Sequence, residues 1–153
     1  MVNTSQESLP LNSSIFEHQF KVDEKPENYN RHVNNLRYLE WFIDAAIEHA
    51  RSLGWGMSVC KEMGLAWVAK SHTIEYVSPA YQDDTLLIKT WIEKVSATRI
   101  TRYYECKRID DNQLIAKAST VWVIVDYESG KPRAFPKGLK TKFDSALSYF
   151  SSF

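Results

Sequence analysis

The sequence has no surplus of charge of either sign and no long apolar run. Lys and Arg together number 19 of the 153 residues, Asp and Glu also number 19, and the formal charge at pH 7 is zero. A chain without a positive surplus gives no electrostatic reason to expect binding to nucleic acid or to an anionic membrane. No stretch approaches the roughly 20 apolar residues of a membrane span, and residues 1–14 show no basic-then-apolar leader. We therefore expect a cytoplasmic protein without nucleic-acid or membrane partners.

Cysteine is scarce, and its spacing matches no metal or redox motif. The two cysteines, Cys60 and Cys106, form no CxxC pair and no Cys/His ligand pattern. We expect two reduced thiols, no metal site and no redox cofactor. A length of 153 residues with 44% hydrophobic residues suits one domain with a real core. The prediction is a polar, loose tail over residues 1–14 and a single domain over residues 15–153.

The stretch from residue 28 to residue 50 joins a polar cluster to an apolar helix. The polar part is crowded with amides and carries His32, and Asn34 or Asn35 is a candidate N-cap. Apolar residues then recur at helical spacing, namely Leu36, Leu39, Ile43, Ala46, Ile47 and Ala50. The pattern predicts a largely enclosed helix that Gly54 and Gly56 terminate. Free N–H groups at the start of such a helix can polarise a carbonyl oxygen.

The rest of the chain has the composition and alternation of strands. Strands are predicted over residues 15–22, 67–77, 85–95, 99–109 and 114–126, a short helical turn over 58–63 and a terminal helix over 141–150. The run 121–125 is expected to be fully buried. Short links between successive strands favour an antiparallel sheet. The predicted fold is α+β, with one long apolar helix wrapped by a curved antiparallel sheet of about five strands.

The polar cluster carries a family resemblance. His32-Val33-Asn34-Asn35, with Asn30 before it and Tyr38 after it, resembles the central motif of the hotdog-fold thioesterases. The similarity is to the acyl-CoA and acyl-carrier-protein (acyl-ACP) branches of the 4-hydroxybenzoyl-CoA thioesterase superfamily, and residues 30–35 resemble the plant acyl-ACP enzymes in particular. Residues 74–80 and 83–86 resemble that family's strand and its following turns.

The resemblance implies a fold, an activity and an assembly. A single hotdog domain would hydrolyse an acyl-CoA or acyl-ACP thioester to a free acid and a thiol, in fatty acid metabolism. No separate cofactor is implied, because coenzyme A or phosphopantetheine is part of the substrate. The family pattern also implies a homodimer whose sheets join edge to edge, with sites between subunits, or a homotetramer.

The resemblance also assigns site residues. Catalytic roles fall on residues of the polar cluster and its approach, namely Asn28, Asn30, His32 and Asn35, with the backbone N–H near Asn35 as the oxyanion donor. The family usually has an aspartate at the position of Asn28, four residues before the histidine. Because an amide cannot act as a general base, Glu27 is the first candidate for that role and Asp44 the second. The alternative is a hotdog protein that binds acyl thioesters without cleaving them.

Aromatic and basic residues provide candidates for substrate contacts. The acyl chain could be lined by Tyr38, Trp41, Phe42, Trp67 and Tyr76, although all five could equally be core residues. Candidates for the coenzyme A phosphates are Lys70, Arg99, Arg102, Lys131 and Arg133, for which the alternative is a solvated face.

Overall fold

The computed structural model describes residues 15–23, 32–139 and 141. In this part of the chain five strands and two complete helices follow one another, with the two helices after the first strand, and a further helix begins at Lys137. Their order is β1 (Ile15–Lys21), α1 (Asn35–Ser52), α2 (Met57–Glu62), β2 (Leu65–Tyr76), β3 (Thr85–Val95), β4 (Arg99–Arg108) and β5 (Leu114–Asp126). The predicted tail over 1–14, the residues Glu27, Asn28 and Asn30, and all but the first residue of the predicted terminal helix lie outside the described residues.

The strands form one antiparallel sheet in the order β1-β3-β4-β5-β2. Register shifts between Ala69 and Ser71 in β2 and between Ile92 and Lys94 in β3 mark bulges, which bend and twist a sheet. Helix α1 packs against β1 and β3. The predicted single α+β domain, with a helix on a five-stranded antiparallel sheet, is confirmed.

Helix α1 begins and ends where the sequence predicts. Asn34 is the N-cap, and its side chain accepts a hydrogen bond of 2.9 Å from the N–H of Leu36. The helix ends at Ser52, followed by Gly54 with a φ of 86°, a left-handed conformation that glycine adopts without steric cost.

The buried face of α1 is not the predicted one. The residues that the sheet buries are Tyr38, Phe42, Ala45, Ala46 and His49. Of the predicted face only Ala46 is buried, while Leu36 is 72% exposed and Ile43, Ile47 and Ala50 are half-buried. The prediction of an enclosed helix was therefore wrong for this face, because α1 lies over β1 and β3 and its second apolar side points toward the uncovered β5–β2 half of the sheet.

Buried side chains form two apolar clusters, one at each end of α1. The first surrounds the start of α1 and includes Tyr38, Phe42, Leu86, Ile88 and Cys106. The second includes Cys60, Leu65, Ile92, Ile100 and Ile124. The predicted full burial of 121–125 holds for residues 123–125 but not for Val121 and Trp122, which are half-buried, and Trp122 borders an open cavity beside α1.

Both cysteines are free and buried, as predicted for reduced thiols. Burial raises the pKa of the Cys106 thiol to about 12. Over the ranges that the structure describes, no helix is both long and apolar enough to cross a membrane.

Candidate active site

The start of α1 meets the end of β2 in a cavity of about 250 Å³. We call it the α1-start cavity, and its lining residues are His32, Asn35, Tyr38, Tyr76, Val77, Ser78 and Pro79. It brings together two of the sequence-predicted catalytic residues, His32 and Asn35, and two of the predicted substrate-contacting residues, Tyr38 and Tyr76.

Backbone bonds fasten the loop before α1 to the turn after β2. The N–H of Val33 donates to the carbonyl of Ala80 at 2.8 Å, and His32 pairs with Tyr81 in an isolated β-bridge. The turn is held from its other side by Arg108, which donates to the carbonyl of Pro79 at 3.2 Å and to Asp84 at 2.9 Å. The two walls of the cavity are thus fixed relative to each other.

Two tyrosine hydroxyls tie α1 to the same turn and strand. The N–H of Ala80 donates to the Tyr38 hydroxyl at 3.1 Å, and the Tyr76 hydroxyl donates to the carbonyl of Asn35 at 3.3 Å. Burial raises the pKa of Tyr38, a shift that the Ala80 hydrogen bond opposes. Tyr38 therefore remains a neutral phenol, and its hydroxyl holds the start of α1 against the turn at Ala80.

The N–H of Asn35 is a free donor at the helix start. The side chain of Asn34 satisfies the N–H of Leu36, and the carbonyl of Asn34 accepts from the N–H of Arg37 at 3.0 Å. Among the described residues, none accepts a hydrogen bond from the N–H of Asn35. An unpaired amide at the positive end of an 18-residue helix is suited to bind an oxygen that carries developing negative charge.

His32 lies half-buried at the mouth of this arrangement. Its Nδ1 is 3.3 Å from the carbonyl of Val33. A proton on Nδ1 donates to that carbonyl and leaves Nε2 with a lone pair for water or substrate. Ser78, which sequence reasoning did not single out, brings a hydroxyl into the same cavity. Its position directly after the predicted strand over residues 67–77 and before Pro79 was the available signal.

The other predicted site residues lie elsewhere. Trp41 packs on Phe20 with ring centroids 4.9 Å apart, Phe42 is 1% exposed against Tyr104, and neither lines either of the two cavities described here. Asp44 is exposed on α1 and lines neither cavity described here. Glu27, Asn28 and Asn30 belong to residues 24–31, outside the described part of the chain.

Trp67 lines a second cavity, of about 220 Å³, farther along α1. We call it the Arg102 cavity, and its lining residues are Ile43, Ala46, Ile47, Ala50, Trp55, Met57, Trp67, Ile100, Arg102 and Trp122. Arg102 is 2% exposed, so the alternative of a solvated face is wrong for this residue, and the expectation of a coenzyme A phosphate contact stays a prediction. The half-buried edge of α1 thus forms one wall of an apolar recess beside β2.

Comparison with known proteins identifies the family. A family model described as the thioesterase-like superfamily matches residues 21–143. This chain belongs to the thioesterase-like superfamily. It is 32% identical to an acyl-CoA thioesterase, YbgC, of Haemophilus influenzae over 112 residues, which covers 72% of this chain and 81% of that protein.

Solved structures of other proteins show the same fold. A Staphylococcus aureus protein, SAV2348, solved in complex with CoA, is similar with a TM-score of 0.81 and 16% identity, covering 88% of this chain and 84% of that chain. A 1,4-dihydroxy-2-naphthoyl-CoA thioesterase from Synechocystis has a TM-score of 0.77 and 22% identity, covering 85% of this chain and 96% of that chain. The predicted hotdog fold and superfamily are confirmed.

Proposed function

We propose that this chain hydrolyses acyl-CoA thioesters in the α1-start cavity. The observation that carries the proposal is the unpaired N–H of Asn35, which lies beside His32 at the positive end of α1. The relatives named as acyl-CoA thioesterases and acyl-CoA thioester hydrolases support coenzyme A as the carrier and hydrolysis as the reaction.

In the proposed reaction the thioester carbonyl oxygen accepts the N–H of Asn35. Water adds to the carbonyl carbon, and the tetrahedral oxyanion is stabilised by that N–H and by the helix start. Collapse breaks the carbon–sulfur bond and releases the free acid and the coenzyme A thiol. His32 orients the water or the carbonyl through Nε2. We retain Glu27, five residues before His32 in the sequence, as the proposed base, and Asn28 and Asn30 as polar groups that line the approach.

We also propose that the active form is a homodimer joined along β2. Strand β2 pairs only with β5 in the described sheet, so one of its edges offers unpaired backbone groups. Exposed apolar side chains lie on this strand and on the starts of α1 and α2, namely Leu36, Met57, Val68 and Tyr76. A second copy would complete the sheet and cover these side chains, and two such dimers could form a tetramer.

The dimer proposal has a consequence for the two cavities. Tyr76 of β2 touches the start of α1, and Trp67 near the other end of β2 borders the later turns of α1. An antiparallel two-fold pairing of β2 with its copy sets the end of one strand beside the beginning of the other. The α1-start cavity of one subunit would then adjoin the Arg102 cavity of its partner.

We further propose a cytoplasmic location, because both thiols are free.

The direct test is thiol release from a panel of acyl-CoAs of increasing chain length, with acyl-ACPs as a second panel. Wild type should release thiol from at least one acyl-CoA, and His32→Ala should lower kcat/KM by about 100-fold or more if it orients the reacting groups. His18→Ala is the matched control, because His18 is exposed on β1. A wild type that cleaves nothing in either panel, or a fully active His32→Ala, contradicts the proposal.

A further inference from the structure

Three polar side chains form a layer between the two apolar clusters of the core. His49 and Thr90 are 0% exposed and Arg102 is 2% exposed. Thr90 lies between Ile88 and Ile92 on the buried face of β3, and Arg102 lies between Ile100 and Tyr104 on the buried face of β4. Burying polar groups costs free energy unless they are hydrogen-bonded, and burying a charge costs more.

The hydrogen bonds of Arg102 go to neutral partners. Its Nη1 donates to Nδ1 of His49 at 2.8 Å and to Oγ1 of Thr90 at 3.1 Å. A His49 ring that accepts at Nδ1 carries no proton there and is therefore uncharged. The Thr90 hydroxyl donates to the carbonyl of Tyr103 at 2.8 Å. Within the described residues, no carboxylate lies in ion-pair range of Arg102.

The Arg102 cavity gives this side chain an opening. Burial lowers the pKa of Arg102 to about 10, so the guanidinium keeps its charge at neutral pH. The other lining residues of the cavity are aliphatic or aromatic, or are the thioether of Met57. An apolar recess thus contains one positive charge whose counter-ion is not supplied by the surrounding described chain.

We propose that the Arg102 cavity binds the far end of the acyl chain, and that Arg102 selects thioesters whose acyl group ends in a carboxylate. A carboxylate there would accept charge-assisted hydrogen bonds from the planar guanidinium, which fits the two oxygens of a carboxylate. A methyl-ended chain would leave the buried charge without a counter-ion. The inference rests on the proposed function and specifies its substrate class.

The position of the cavity suits this role. Its walls are the half-buried side of α1 and the inner face of β4, β5 and β2, and Met57 at its rim is 63% exposed. In the proposed dimer this end of the recess adjoins the partner's α1-start cavity. An acyl group held at one subunit's helix start could therefore extend toward Arg102 of the other subunit.

The test uses non-hydrolysable thioether analogues of acyl-CoA, in pairs of equal length that end in a carboxylate or in a methyl group. Calorimetric titration of wild type should show, at one or more lengths, about 10- to 100-fold tighter binding of the carboxylate-ended member, as expected for hydrogen bonds to a charged group. Arg102→Met should abolish or invert this preference. Arg102→Lys keeps the positive charge but not the planar guanidinium, and it should retain part of the preference for the carboxylate-ended member.

Lys94→Met is the matched control, because it removes one positive charge from an exposed position on β3 and should leave the preference unchanged. Circular dichroism verifies that each variant is folded. Equal binding of both members by wild type at every length overturns the inference, whether or not Arg102→Met folds. So does a preference that a folded Arg102→Met retains.

Thioester hydrolysis on the same panel is measured separately. Cleavage without a carboxylate preference in binding defeats only the inference about Arg102. A preference in binding without cleavage of any thioester supports that inference and defeats the proposed function.

Discussion

At the scale of single residues, the Tyr38 hydroxyl joins α1 to the turn that walls the α1-start cavity. It accepts a hydrogen bond from the N–H of Ala80, and both residues are buried. Tyr38→Phe should lower the free energy of unfolding by about 1–3 kcal/mol, because it leaves a buried N–H without an acceptor. Urea denaturation measures this loss.

The control for this prediction is Tyr103→Phe on β4, whose side chain is 38% exposed. Its effect should stay within about 0.5 kcal/mol, as is usual for surface positions. A loss at Tyr38 no larger than the loss at Tyr103 would show that the Tyr38 hydroxyl does not support the turn.

Single residues also show which parts of the site could be predicted from the sequence and which could not. His32, Asn35 and Tyr38 lie together because they belong to one recognisable motif at a helix start. Tyr76 joins them from β2, through a hydrogen bond from its hydroxyl to the carbonyl of Asn35. Arg102 was judged by its charge alone. The alternation of Ile100, Tyr104 and Cys106 on β4 already assigned its side chain to the buried face. The sequence could not show that Arg102 would be hydrogen-bonded to two buried neutral residues, His49 and Thr90, because this pairing depends on tertiary packing.

At the scale of elements, the first turn of α1 determines the site. The Asn34 side chain caps the helix through the N–H of Leu36 and does not occupy the N–H of Asn35. The N–H of Asn35 is therefore available to the cavity. Asn34→Ala should cost about 0.5–2 kcal/mol of stability through loss of the cap, whereas Asn34→Asp keeps an acceptor and should cost less. Thermal unfolding of both variants measures the difference, and equal losses would argue against a capping role.

The helix also shows why a pattern can predict an element and miss its orientation. Both sides of α1 are apolar, one with Tyr38, Phe42 and Ala45, the other with Leu36 and Ile43. Helical spacing is satisfied by either side, so periodicity alone could not tell which one the chain's own sheet buries. The side left half-exposed is the one that borders the Arg102 cavity and the free edge of β2.

At the scale of the whole molecule, the proposed dimer accounts for that half-exposed side. Leu36 is 72% exposed and would be covered by the second copy. Leu36→Asp should shift a dimer or tetramer toward monomer in sedimentation velocity, because a charge would have to be desolvated in the interface. Ile109→Asp is the matched control, because Ile109 is 42% exposed at the turn after β4 and should leave the assembly intact.

A wild type that sediments as a monomer at micromolar concentration would contradict the dimer. So would a Leu36→Asp variant whose assembly matches that of Ile109→Asp.

The strand boundaries were largely predictable, and the strand order was not. Strands β3 and β5 match their predicted limits, because alternation and turn residues define each strand locally. In the order β1-β3-β4-β5-β2, strand β2 lies at the far edge. It pairs with β5 and not with β3, its neighbour in sequence, and this choice of partner depends on tertiary packing that local patterns do not contain. That edge carries the proposed dimer contact, so assembly could enter the sequence reading only through the family resemblance.

The central claim is that the backbone N–H of Asn35 stabilises the oxyanion. Asn35→Pro removes this N–H at the first helical position, where proline is tolerated, and Asn34 before it is already extended with a ψ of 134°. Asn35→Ala removes the side chain and keeps the N–H. With the best acyl-CoA of the panel, kcat of folded Asn35→Pro should fall by about 100- to 1000-fold and that of Asn35→Ala by less than about tenfold. Equal kcat values for the two variants would contradict the claim.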